Sequence, residues 1–376
     1  MKNKILTFIS KTLKLIALLV PLVFLVNFAQ ENLFYYEDHN SRRIERFYEE
    51  EKNSIDVVLM GASEVTNDYS PGYAYEAFGF TSYMYTIDFN RGTAYLPQLK
   101  EVLKYQDPQV ILVEVFGFMV PNTWDAHDDA RFRLFVENIP YSWNRVEATL
   151  KQPFEDKISY LVPLVKYHGE LGTAQERLMQ LNDPEFEYPE LKGMVSKPTI
   201  YQGEGEPGEP FNPEVFDLHP EMEKALIEFL EFCEKEKLDN IVFTNFPRIL
   251  ADESNNSYTF ILEKIKKILN QYGHELLDLT DEAVGLDRSW HYGDAHHLNI
   301  YGQMAVTDYL GNLMLEEYGV VPVEQSPESQ QKWEKCVEDT RIHISVMDAL
   351  AMSGEEMGID ELSYKILNPG KIIGAG

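Results

Sequence analysis

The stretch GDAHHLNIYGQ, Gly293 to Gln303, places an acid, two adjacent histidines and an asparagine just ahead of a long helical pattern. Asp294 and His297 stand three residues apart. That spacing lets one short turn hand a carboxylate to one imidazole nitrogen while the other nitrogen faces a nucleophile. Asn299 is a capping residue type at the start of "IYGQMAVTDYLGNLML" and would hold the turn rigid. Far upstream, "MGASEVTNDYSP" offers a nucleophile in Ser63, flanked by the small Gly61 and Ala62. Small neighbours let a serine oxygen stand exposed, and a helix start leaves backbone N–H groups free to hold an oxyanion. Together the residues supply a triad in the chain order Ser, Asp, His. A serine in that place also serves simply as a helix cap.

A metal site competes for the same side chains. His291, Asp294, His296 and His297 cluster, and "WDAHDDARF" adds Asp125, His127, Asp128 and Asp129. Mixed imidazole and carboxylate ligands suit zinc or manganese. However, no pair has the His-x-x-x-His spacing of a helical site, and a metal leaves Ser63 without a role. His296 reads as a solvent- or substrate-facing neighbour, so the expected metal set is none. "HDDARFR" has acids first and Arg131 and Arg133 later, the charge order of an ion-paired helix start.

The elements that must position these groups follow from hydrophobic patterning. "IDVVLMGAS" is a β-branched run stopped by a glycine, and similar runs recur at "TSYMYTI", "QVILVEVF", "NIVFTNF" and "HELLDLT". Amphipathic stretches lie between them: "LPQLKEVLKYQ", "MEKALIEFLEFCEKEK" and "TFILEKIKKILNQYG". Strands alternating with helices predict an α/β fold, a doubly wound, flavodoxin-like sheet of five parallel strands. In such sheets ligands bind beyond the carboxyl ends of the strands, where Ser63 and His297 would share one crevice. The alternation breaks over 118–218, which reads as a helical insertion above the active-site edge. It ends in a Pro-, Gly- and Glu-rich stretch, "YQGEGEPGEPFNPE", with the composition of a mobile loop.

Here the motifs carry a resemblance. Asp294, His297, Leu298, Asn299 and Gly302 meet the signature D-x-x-H-L-N-x-x-G, and "GAS" after the first strand matches a nucleophile block. The chain resembles the SGNH (GDSL-type) hydrolases. The resemblance implies Ser63 as nucleophile, His297 as general base and Asp294 as its orienting partner. It also implies oxyanion or substrate roles for Gly92 and Asn90 in "FNRGTAYLP", with Asn122 reaching in from the insertion. The chain departs from the family at Tyr95, where a later glycine is usual, and at "VEVFGFMVPN", where Gly-x-Asn-Asp normally ends the third strand. Within the superfamily it looks most like the membrane-anchored proteins that acylate or deacylate cell-surface polymers, such as the D-alanyl transfer protein of lipoteichoic acid synthesis and the alginate O-acetylation proteins. That subgroup implies an acyl donor, a polymer acceptor, an upstream membrane-bound O-acyltransferase and no cofactor. The alternative is a non-catalytic SGNH-like scaffold or polymer-binding protein of the cell envelope.

The N-terminus and the composition set the compartment. Lys2, Lys4, Lys11 and Lys14 accompany the apolar run "LKLIALLVPLVFLVNFA" from Leu13 to Ala29. With Ile5, Leu6, Phe8 and Ile9 it approaches the roughly 20 residues that cross a bilayer, its lysines favouring a cytoplasmic N-terminus. Asn27 stands where a cleavage site needs a small residue, so an uncleaved signal anchor is expected, with the catalytic part outside the cell membrane. A net charge of −29 makes nucleic acid an unfit partner, because its phosphates would be repelled. The 22 tyrosines and 21 phenylalanines supply enough apolar mass for a large core, which excludes disorder. Cys233 and Cys336 allow one disulfide but match no zinc or C-x-x-C redox pattern. The expected organisation is an anchor at 1–30, a linker helix at 31–52, the α/β domain at 53–319 with insertion 118–218, and a tail of short helices at 320–376.

Overall fold

A computed structural model describes residues 2–33, 39–169, 189–205, 211–251 and 256–354. In chain order the elements are α1 (Lys2–Leu33), α2 (His39–Phe47), β1 (Val57–Met60), α3 (Ser63–Asp68), α4 (Pro71–Phe78), β2 (Ser82–Met84), α5 (Tyr95–Tyr105) and β3 (Val110–Glu114). Then come α6 (Asp129–Val136), α7 (Trp143–Lys151), α8 (Lys157–Leu161), α9 (Leu164–Tyr167), α10 (Pro220–Glu236) and β4 (Ile241–Asn245). The chain closes with α11 (Ser257–Gln271), β5 (Leu276–Asp278), α12 (Asp281–Val284), α13 (Ile300–Glu316) and α14 (Pro327–Ser353). Each of the five runs expected to be a strand is one.

All neighbouring strands pair in parallel, in the order β2-β1-β3-β4-β5. The winding therefore reverses between β1 and β3, the position at which open α/β sheets form a crevice. Alternation along the strands divides the core in two. Val57, Leu59, Val110 and Leu112 pack with Ala74 of α4 and with Val306, Leu310 and Met314 of α13. On β4, Phe243 instead meets Phe229 of α10, ring centroids 5.9 Å apart.

Three expectations about organisation need correcting. The segment expected as a linker helix contributes to the core: α2 buries Ile44 and Phe47, and Arg43 Nε donates to the Gly193 carbonyl at 2.9 Å. The tail is one helix of 27 residues, α14, and residues beyond 354 lie outside the described ones. Its buried stripe of Trp333, Cys336, Thr340, His343, Met347 and Leu350 holds few strong hydrophobes, which thins its sequence signal. Trp333 stacks on Tyr75 of α4 at 4.9 Å. The insertion is also not one body. Met1–Glu37 and Phe154–Phe186 form one compact unit, and Asp38–Pro153 with Glu187–Gly376 form the other, which holds the sheet.

In the first unit, Phe8–Val26 of α1 is long and apolar enough to cross a membrane by length and composition. In the second, the neck of the insertion is an antiparallel bridge between Pro121 and Leu218. The loop expected to be mobile falls partly outside the described residues, at 206–210. Both cysteines are buried and free of a disulfide.

Candidate active site

Ser63 is the first residue of α3, directly past β1, with Ala62 in extended conformation before it. Gly61 permits this turn, since a Cβ there would come within 2.5 Å of Val65 Cγ2 and 2.7 Å of Glu114 Cβ. The turn presents the Ser63 hydroxyl at the strand's carboxyl end, where His297 Nε2 lies 2.8 Å from its oxygen. The two residues are 234 positions apart in sequence.

Asp294 holds the other side of the ring. Nδ1 of His297 is 3.0 Å from Asp294 Oδ1 and 3.1 Å from Oδ2. The same carboxylate accepts the backbone N–H groups of His296 at 2.8 Å and of His297 at 2.9 Å, so the acid folds its own loop around itself. Lys197 Nζ, from the returning end of the insertion, sits 2.8 Å from Oδ2. Burial works to raise the Asp294 carboxyl, but His297, Lys197 and the His296 N–H outweigh it and hold it well below the ordinary carboxylate range. Asn299 caps α13 by accepting from Tyr301 N and Gly302 N. Gly302 is required because a Cβ there would lie 2.3 Å from the His291 carbonyl.

Several supporting groups carry no sequence signature. Asp68, at the far end of α3, accepts the Leu298 N–H at 2.9 Å and so ties the serine helix to the histidine loop. Burial pushes its carboxyl well above the ordinary range, against the pull of that N–H. Glu64 lies beside Ser63 and pairs with Arg248, whose guanidinium lies over the rings of Phe116 and Tyr258. Glu114, buried at the end of β3, is pushed well above its usual range by burial and then by Glu64. These carboxyls needed long-range partners to be noticed, and one sequence shows none. Arg248 also borders a cavity of about 520 Å³ beyond the ends of β4 and β5, with Asn245, Tyr258 and Asp278.

The residues expected to complete an oxyanion hole separate. Asn90 is buried, and its amide donates to Gln98 Oε1 at 2.8 Å and to the Gly61 carbonyl at 3.3 Å, so it braces the serine turn. Gly92 opens a short 3-10 turn, Gly92–Ala94, in the same loop. Asn122 belongs elsewhere. Its side chain donates to the Val215 carbonyl at 2.8 Å and accepts from Asp217 N at 3.2 Å, closing the insertion neck. His296 is half-buried beside His297, ring centroids 6.0 Å apart.

The two sets weighed as metal ligands turn to other partners. His291 Nδ1 accepts the Asp287 N–H at 2.7 Å. His127 is bounded by Gln152 Oε1 at 2.9 Å from Nδ1 and by Glu221 at Nε2. Asp128 caps α6, and Arg133 pairs with Asp129 at 3.1 Å and Glu137 at 2.9 Å, the ion-paired helix start expected.

A parallel five-stranded α/β sheet with serine, histidine and aspartate hydrogen-bonded in series past its strand ends defines the structural class. No family model and no curated protein matches the chain. Among solved structures it is similar to a gut microbial diltiazem-metabolizing enzyme, at 13% identity and a TM-score of 0.32, over 71% of this chain. The match spans 47% of that enzyme, about half its length.

Proposed function

We propose that the protein is a membrane-anchored serine esterase or O-acyltransferase of SGNH type, acting on ester bonds of a cell-surface or secreted polymer. One observation carries the reading: the Ser63 oxygen lies 2.8 Å from Nε2 of an imidazole whose Nδ1 is held by Asp294. Ser63 Oγ attacks an ester carbonyl while His297 Nε2 takes its proton, and Asp294 stabilises the imidazolium that forms. Backbone N–H groups at the start of α3 and in the Gly92 loop hold the negative oxygen. His297 then gives the proton to the leaving alcohol, and the acyl group passes from Ser63 to water or to a sugar or polyol hydroxyl. An upstream membrane-bound O-acyltransferase is the partner that would supply acyl groups. The apolar span Phe8–Val26 supports a single-pass tether, with the α/β unit on the extracytoplasmic side.

The test is covalent labelling of the full-length protein, in detergent, with a fluorophosphonate, followed by mass mapping. A single adduct on Ser63, absent from Ser63→Ala, is the expected result, together with p-nitrophenyl acetate turnover that survives a chelator. Equal rates for wild type and Ser63→Ala would make the domain a polymer-binding scaffold. Loss of turnover to the chelator would instead point to a metal hydrolase.

A further inference from the structure

Lys197 is the unexpected member of the site. Its ammonium lies 2.8 Å from Asp294 Oδ2, and that same oxygen is 3.1 Å from Nδ1 of His297. Orienting acids of this kind serve the imidazole, yet here a lysine side chain shares the carboxylate. The backbone around the lysine is pinned from both sides. Val195 N donates to the Thr66 carbonyl of α3 at 3.0 Å, and the Lys197 carbonyl accepts the Ile300 N–H of α13 at 3.1 Å. Ser196 donates to Gln303 at 2.5 Å, and Pro198 restricts the Lys197 backbone to extended conformations. The lysine is therefore delivered to the acid by the fold and does not reach it by chance from a loose loop.

We propose that Lys197 is a positioning residue that shares Asp294 with His297 and competes with the imidazole for the carboxylate, so that its charge sets the acid side of the pH profile of Ser63 reactivity. The inference rests on the Ser–His–Asp reading above. Two effects act in the same direction: the lysine withdraws part of the carboxylate's charge, and its own charge repels an imidazolium. Other ionisable groups around the ring are Glu64 beside Ser63, the Arg248 that pairs with it, Asp68 behind Leu298, and His296. The side chains of Lys197 and His297 both bond the Asp294 carboxylate. Lys197 is about one-third exposed, so solvent screens part of its effect.

The experiment is the second-order rate of fluorophosphonate labelling of Ser63 in the full-length chain between about pH 5 and 9. Lys197→Met should move the acid-side midpoint up by about 0.5–1 pH unit with little change in the high-pH plateau. Lys197→Gln should shift it similarly, and Lys197→Arg, which keeps the charge, should leave it near the wild-type position. A midpoint that stays put in both neutral variants overturns the proposal, and so does a uniform loss at every pH, which marks a purely structural lysine. Wild type that never labels at Ser63 takes down the triad reading and this inference with it. Labelling at Ser63 with an unmoved midpoint takes down this inference alone.

Discussion

His297 and His127 are built from the same vocabulary and do different things. Each ring is bonded at both nitrogens and each has a carboxylate within reach: Asp294 for His297, Glu221 for His127. The second partner separates them. His297 faces the hydroxyl of Ser63 at a strand tip, whereas His127 faces the amide of Gln152 at the end of α7. A hydroxyl can surrender its proton to the ring and become a nucleophile, and an amide oxygen cannot. His127 thus braces the insertion against α10, and a histidine–acid pair acquires reactivity only from what the tertiary structure sets opposite it.

Breaking that contrast at the reactive ring should have the largest effect. Ser63→Ala and His297→Ala should each lower p-nitrophenyl acetate turnover by roughly 10³-fold or more, and by similar amounts, because triad members act as a unit. A His297 variant near wild-type turnover would contradict the assignment. Asp294→Asn, which keeps the shape and loses the charge, should cost about 10²–10⁴-fold in kcat. His127→Ala should leave turnover within about two-fold while lowering stability by about 1 kcal/mol, read as Tm. Turnover falling as far as in His297→Ala would erase the distinction between the two rings.

A third ring sharpens the comparison on the stability side. His343 of α14 is fully buried, neither nitrogen has a hydrogen-bond partner among the described residues, and burial pushes it down from 6.5 to about 4. The unfolded chain therefore takes up this proton more readily than the folded one. Stability from the neutral ring is complete above pH 6.5 and is lost as pH falls from there to about 4, by roughly 3 kcal/mol in all. His343→Leu should flatten that part of the stability curve in denaturant melts at stepped pH, and an unchanged slope would show that the ring is not the group responsible. A stability effect of the size expected for His127→Ala is expected at the helix cap. Asn299→Ala should cost about 1 kcal/mol of stability, with a further loss of turnover if the cap holds the His297 loop in place.

The five strands were legible because each is a short β-branched run bounded by turn residues, and burial on both faces demands that composition. The serine turn was legible from its small residues, and the histidine turn from the Asp-x-x-His spacing and the capping asparagine. Lys197 was not, since a lysine before a proline in a weakly patterned insertion looks like solvent-facing loop. Asp68, Glu64 and Glu114 passed as ordinary acids in a very acidic chain. The packed role of α14 was hidden by a stripe that alternates Trp333, Met347 and Leu350 with Thr340 and His343.

Local rules thus determined the strand and helix types, the apolar N-terminal span, and the residue types available for chemistry, because periodicity, capping and turn preference act over a few neighbouring positions. Tertiary structure alone decided which groups meet. The Ser63–His297 contact spans 234 residues, and the Lys197–Asp294 pair joins the insertion to the last loop. A hydrogen bond or ion pair between distant residues leaves no periodic trace in a single chain, since its partners are chosen by where the packed sheet and helices bring them.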